Sequence, residues 1–290
     1  MKNRNWFWIL VIILAAGAFF GYCSLDAMRS DTKAPEITMS TDVLEVSVED
    51  PKSALLQGLT ATDKKDGDVT DSLVVESVTM LESSGTVMVR YAAFDAAGNV
   101  ARAERKAVYT DYVSPRFTLA KPLVYVQGIN FDVLSNIGAT DVFDGDIQHR
   151  VRATVLGENP VSQAGTHVVQ FQVTNSLGDT QTKSFTVEVM AGDPYTAEME
   201  LSQYIVYLPV GAAFNPASYL QSFTYQRNQV ELSGMVPAGF DLETKGVVQT
   251  QNPGTYTVSY TLTYTDRDER NPDNAREYTA FSKLIVVVEG

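Results

Sequence analysis

A nine-residue motif occurs twice in this chain, inside two segments that can be laid over one another. Ala61-Thr62-Asp63-Lys64-Lys65-Asp66-Gly67-Asp68-Val69 returns in related form as Ala139-Thr140-Asp141-Val142-Phe143-Asp144-Gly145-Asp146-Ile147. Around it Pro35 matches Pro115 and Gly85 matches Gly165. Asp95-Ala96-Ala97-Gly98-Asn99 likewise matches Asn175-Ser176-Leu177-Gly178-Asp179. The matched positions lie about 78 to 80 residues apart, so the chain is built as an array of similar modules. A repeat of that length sets the architecture before any single residue does.

At 290 residues the chain suits two or three domains rather than one small one. The strongest pattern in each module is an alternating run after Gly-Thr. In the third module Tyr256, Val258, Tyr260, Leu262 and Tyr264 share one parity, and the intervening Ser and Thr residues share the other. That is a half-buried strand with an apolar face and a hydroxyl face. The second module repeats it with Val169, Phe171 and Val173, and the first with Val87, Val89 and Tyr91. Turns are expected at Ala97-Gly98-Asn99, Leu177-Gly178-Asp179 and Asp266-Arg267-Asp268, followed by closing apolar strands over 103–109, 183–189 and 283–288. Shorter β-branched runs stand upstream at 37–39, 43–48, 73–79, 117–119, 123–126 and 151–156. The predicted fold is all-β: tandem Ig-like β-sandwiches preceded by one transmembrane α-helix. Module boundaries fall near Pro35, Pro115 and Pro194, giving domains at 35–112, 113–191 and 192–290. Joints that short favour an extended rod.

Residues 6–23 read WFWILVIILAAGAFFGYC, eighteen residues without a charge. As a helix they span about 27 Å, close to the bilayer hydrocarbon core. Trp6, Trp8 and Tyr22 stand near the ends, where amphipathic rings favour the headgroup level. This predicts an uncleaved anchor with the bilayer as partner, a cytoplasmic tail at 1–5 and a polar linker at 24–34. Two other readings stay open. Ala16-Gly17-Ala18 offers a cleavage site, though Phe19-Phe20 continue the apolar run past it; Cys23 invites lipidation, though Phe20-Gly21-Tyr22 is bulky for that. Lys2 and Arg4 tip the orientation toward an N-terminus inside and modules outside, against Arg29 and Lys33 on the far flank.

Setting Lys2 and Arg4 aside, 20 of the 22 basic residues face 35 acidic ones, and a surface that acidic repels phosphate backbones. Nucleic acid is therefore not an expected partner. Cys23 is the one cysteine, so no intramolecular disulfide staples the modules. Both tryptophans lie in the apolar segment, so the Cys–Trp–Cys core of secreted antibody-type domains is absent as well.

With these residues in view, the first two modules resemble the bacterial Ig-like domain named after a pesticidal crystal protein, related to hyalin-type repeats. Residues 34–110 carry its pattern in Ala61, Asp63, Asp66, Gly67, Asp68, Gly85, Tyr91, Asp95, Gly98 and Asn99. Residues 114–190 match more loosely, with Phe171 for the Tyr and Asn175 for the Asp. The third module keeps Gly254-Thr255-Tyr256 and the alternation, lacks Asp-Gly-Asp, and carries a polar insertion at 266–277. The resemblance implies surface-attached stalk or adhesion modules outside a bacterial cell, rarely with catalysis of their own.

Two readings compete for the acidic motif. Asp63, Asp66 and Asp68, with Asp95 after the later strand, supply the hard oxygens that Ca²⁺ needs, and Asp141, Asp144 and Asp146 offer a weaker copy. The spacing is not that of an EF-hand. The favoured reading is a tight Asp-Gly turn whose carboxylates bond nearby backbone N–H groups, with no cofactor.

The third module is rich in tyrosine, at 195, 204, 207, 219, 225, 256, 260, 264 and 278. Rings on strands are expected in the core, with sugar stacking the alternative. His149 and His167, the only histidines, lie in no catalytic or metal motif, so no enzyme is expected. The expected function is a membrane-anchored extracellular stalk, adhesion or protein-interaction unit engaging an unknown surface protein or glycan. The alternatives are wall-polymer binding through the third module, or service as an accessory subunit of an envelope complex.

Overall fold

The computed structural model describes residues 11–21, 31–128, 132–157, 160–267 and 275–290. Residues 11–21 form a helix whose Ile12, Ile13, Leu14, Phe19 and Phe20 are all exposed. Among the described residues no helix is long and apolar enough to cross a membrane. The remainder of the expected anchor, 6–10 and 22–23, lies outside the described residues, as do the expected tail at 1–5 and most of the linker.

Beyond the helix the chain is all-β, and the same two-sheet sandwich is built three times. In the first module Glu36–Met39, Leu59–Asp63 and Gly67–Asp68 form the smaller sheet. The larger sheet runs Val43–Val46, Val100–Tyr109, Thr86–Phe94, Val74–Glu82, its first pair parallel and the others antiparallel. The second module repeats the order with Val124–Val126, Thr180–Met190, Gly165–Thr174 and Arg152–Leu156. The third repeats it with Ile205–Pro209, Ala275–Glu289, Gly254–Arg267 and Phe240–Lys245. The parallel pairing arises because the second strand crosses to the larger sheet and lies beside the last one.

The alternating runs do what their period demands. Val87, Val89 and Tyr91 are fully buried, as are Val169 and Phe171, and Val258, Tyr260 and Leu262. One sequence expectation needs correcting. Asp266 and Arg267 do not form the turn of the last hairpin: the strand continues through them, pairing with Arg276 and Ala275. The two ends of the insertion, 266–267 and 275–277, are therefore paired strand, and 268–274 lie outside the described residues.

Tyr91 and Arg105 show how one core position is solved twice. Arg105 is only 2% exposed and donates to the Leu55 and Gln57 carbonyls at 2.8 and 2.9 Å, while the Tyr91 hydroxyl donates to Leu55 at 2.9 Å. These bonds hold the 3₁₀ turn Lys52–Leu56 over the core, and the charge is offset by carbonyl dipoles. The second module places Phe171 and Phe185 at the matching positions, rings 5.6 Å apart, and needs no polar partner.

The chain divides into two units, Met1–Tyr112 and Val113–Gly290. The second holds two sandwiches, and a short joint alone does not describe how they are connected. Leu284, Val286 and Val288 point into the third module's own core, whereas Ile205, Ile285 and Val287 join the apolar cluster of the second. The closing strand of the third module is therefore buried on both faces. Its continuous Leu284-Ile285-Val286-Val287-Val288 run is the composition such a strand requires. Burying one such side chain is worth about 1.5–3 kcal/mol.

Polar contacts frame that seam. The Tyr207 hydroxyl accepts from the Phe117 N–H at 2.8 Å and donates to the Phe117 carbonyl at 3.2 Å. Arg116 stacks over the Tyr207 ring at 4.9 Å and pairs with Glu289. Lys283, 7% exposed, donates to Glu188 at 2.8 Å.

Candidate functional site

Each Asp-Gly-Asp motif is a tight loop between the last two strands of the smaller sheet. Asp63 Oδ1 accepts the N–H groups of Lys65 and Asp66 at 2.6 and 3.0 Å, and Asp68 Oδ1 accepts that of Thr70 at 3.0 Å. Gly67 sits at φ +77°, the left-handed conformation that a side chain would strain. The Asp66 and Lys65 N–H groups hold the Asp63 carboxyl below the ordinary aspartate range, and Thr70 does the same for Asp68. The second copy has the same geometry: Asp141 Oδ1 accepts from Phe143 and Asp144, and Asp146 Oδ1 from Gln148.

The structure also ties each loop to the hairpin turn after the long central strand. Asp66 Oδ2 accepts the Ala96 N–H at 2.9 Å, and Asp144 Oδ2 accepts that of Ser176 at 2.6 Å. Asp95 lies within this turn and is capped by Asn99, through its N–H and its side-chain amide, both at 2.7 Å. Asn175 takes the same place in the second module.

Beyond those shared bonds the two copies differ. In the second module Asn175 donates to Asp141 Oδ2 at 3.0 Å and Arg150 donates to Asp144 Oδ2 at 2.6 Å. Burial raises the Asp144 carboxyl, but the Ser176 hydrogen bonds and the Arg150 charge outweigh it and hold the group below the ordinary range. In the first module Asp95 stands where Asn175 does and Ser72 where Arg150 does. There Asp63 and Asp66 are joined by Asp31, a residue of the expected linker, with one oxygen from each acid lying within 4.8 Å of the others. Sequence reasoning missed Asp31 because its neighbours in sequence carry no motif. Its placement four residues before Pro35 was the available signal, since Asp111 stands at the same distance before Pro115.

The third module replaces this chemistry altogether. Tyr225 ends the strand that Asp63 ends in the first module, and Tyr264 takes the place of Asp95; their rings are 4.9 Å apart. Phe240 stacks on Tyr264 at 4.7 Å and Tyr278 lies 4.8 Å from Tyr225. All nine tyrosines of this module are buried or half-buried.

His167 is buried with Nε2 2.7 Å from the Gln163 carbonyl. His149 lines an open cleft of about 580 Å³ with Asp132, Leu134, Asp146 and Arg152.

No protein-family model matches the chain, and no curated protein matches it. Among solved structures it is similar to the protocadherin gamma B4 extracellular domain, with 10% identity and a TM-score of 0.20, covering 89% of this chain and 50% of that one. Mouse cadherin-23 EC22–24 gives 11% identity and a TM-score of 0.20, covering 88% of this chain and 99% of that one. The CBM51-2 and INT domains of Clostridium perfringens ZmpB, solved with GlcNAc, give 14% and 0.22, covering 88% and 44%. The chain thus spans half or less of the first and third of these structures. Likeness at these scores carries no argument, and the sandwich assignment rests on the sheet order itself.

Proposed function

We propose that this chain is a membrane-anchored bacterial protein that holds its Ig-like modules outside the cytoplasm as a stalk, adhesion or protein-interaction unit, without catalysis of its own. The observation that carries the reading is an exposed apolar helix leading into three copies of one sandwich. A run of exposed Ile, Leu and Phe is costly in water and is matched by a lipid environment. The acidic motifs link loops within each of the first two sandwiches, which suits a load-bearing or spacing part. The finer family reading, the pesticidal-crystal-protein type of bacterial Ig-like domain, belongs to the same proposal and rests on residues 34–110.

Protease applied to intact cells is expected to remove the modules and leave a short membrane-bound stub. Full protection of the modules would sink the proposal. The third module's aromatic rings pack on one another, which favours protein contact over sugar stacking. Retention of the purified chain on peptidoglycan would reverse that preference.

A further inference from the structure

The outermost strand of a sheet presents N–H and C=O groups without a ladder partner, and proteins blunt such edges with bulges or charges. The larger sheets of the three modules do this unequally. Val74–Glu82 carries two register shifts. Arg152–Leu156 is regular, but its one charge, Arg152, donates to the His149 and Val151 carbonyls. Phe240–Lys245 pairs with Gly254–Arg267 along all 6 of its residues without a shift, and no described strand pairs with its other side.

The Thr265 N–H donates to the Gly239 carbonyl at 3.3 Å. Backbone bonding alternates along an antiparallel pair, so Asp241, Glu243 and Lys245 bond inward, whereas Leu242 and Thr244 turn their N–H and C=O to the open edge. Side chains alternate too. Leu242 and Thr244 lie across from the buried Leu262 and Tyr260, and Asp241, Glu243 and Lys245 from Thr263, Thr261 and Ser259 on the outer face. The outer row of this edge thus reads minus, minus, plus beside an uncharged strand. Glu243 and Lys245 pair with each other at 3.3 Å, but their side chains are 59% and 74% exposed, so the pair is worth little as it stands.

We infer that this edge joins a second copy of the chain, antiparallel, about a twofold axis at Thr244. The charge order selects that axis. An axis at Leu242 sets Asp241 against Glu243, and axes at Glu243 or Lys245 set each of those residues against itself. At Thr244, each Glu243 faces Lys245 of the second copy, in the closely spaced positions between hydrogen-bonded pairs. The two Thr244 residues exchange backbone bonds, and each Leu242 carbonyl accepts the Gly246 N–H of the other copy. Gly246, at φ +107°, turns the chain out of the strand, so the contact is short and the dimer weak. A second copy is thus the partner of the interaction unit proposed above, and a test on purified protein holds or fails apart from where the modules lie in the cell.

Sedimentation equilibrium of the full chain in detergent micelles is expected to show a reversible dimer with a Kd of about 0.1 mM or tighter. Glu243→Lys and Lys245→Glu each bring like charges face to face, and each should weaken self-association by about tenfold or more. Mixing the two variants, one of them fluorescently tagged, restores opposite charges at both contacts, and association should return as a heterodimer. A dimer held through the apolar helix would be unmoved by either change. A wild-type chain that stays monomeric at about 0.5 mM, a dimer indifferent to both substitutions, or a mixture that fails to associate would each overturn the inference.

Discussion

Asn175 donates its side-chain amide to Asp141 Oδ2 at 3.0 Å, and both residues are more than nine-tenths buried. Its own Oδ1 accepts the N–H groups of Leu177 and Asp179 at 3.0 and 2.9 Å. One side chain thus closes the hairpin turn and supplies a donor to the carboxylate of the loop opposite. Asn175→Asp keeps the acceptor and turns the donor into a second carboxylate facing Asp141. The expected loss is about 2 kcal/mol or more, read from urea unfolding at neutral pH. An unchanged midpoint would mean that the amide bond contributes nothing.

Tyr207→Phe removes the one hydroxyl that bridges both backbone groups of Phe117. Two hydrogen bonds at about 0.5–1.5 kcal/mol each predict a loss of about 1–3 kcal/mol. Because the seam also shares an apolar cluster, the second and third modules should still unfold in one calorimetric transition, shifted downward. Separate transitions for the two modules in the wild-type chain would refute the shared core.

Glu188 and Lys283 carry a pH signature. Burial raises the Glu188 carboxyl, but its bond to Lys283, the Lys283 charge and the Thr166 hydroxyl outweigh it and leave the group below the ordinary range. A carboxylate depressed in the folded state contributes stability that is present above the unfolded value, about 4.3, and lost as pH falls through the folded one. Thermal melts of wild type should therefore drop on acidification below about pH 4, and the drop should be smaller in Glu188→Gln. Equal slopes in the two proteins would remove the pair from the acid response.

Tyr91 and Arg105 share the Leu55 carbonyl, so their deletions are not independent. Arg105→Met strands the Gln57 carbonyl and is expected to cost about 2 kcal/mol, with Tyr91→Phe costing about 1. The double variant approaches the all-apolar solution that the second module uses, and it should cost less than the sum by at least about 0.5 kcal/mol. Strict additivity in a double-mutant cycle would show that the two side chains do not act as one network.

The repeat and the period-2 runs were enough to read the sandwiches and which parity of each central strand is buried, because these follow from local geometry. The Asp-Gly-Asp turns were equally legible, since Asp63 and Asp68 bond groups only two or three residues away. What acts at long range was not. Asp31, Asp66 and the Ala96 turn meet only when the two sheets close on each other, and no spacing rule links residues 30 or more apart in sequence. The seam between the second and third modules left a trace in the unbroken Leu284–Val288 run, which a strand with one wet face would not carry. The sequence by itself therefore determined the module, its strands and the faces they bury. Only the tertiary structure decided that Asp31, Asp63 and Asp66 converge, and that Asp141 and Asp144 instead receive Asn175 and Arg150, because that depends on which residues the folded sheets bring together.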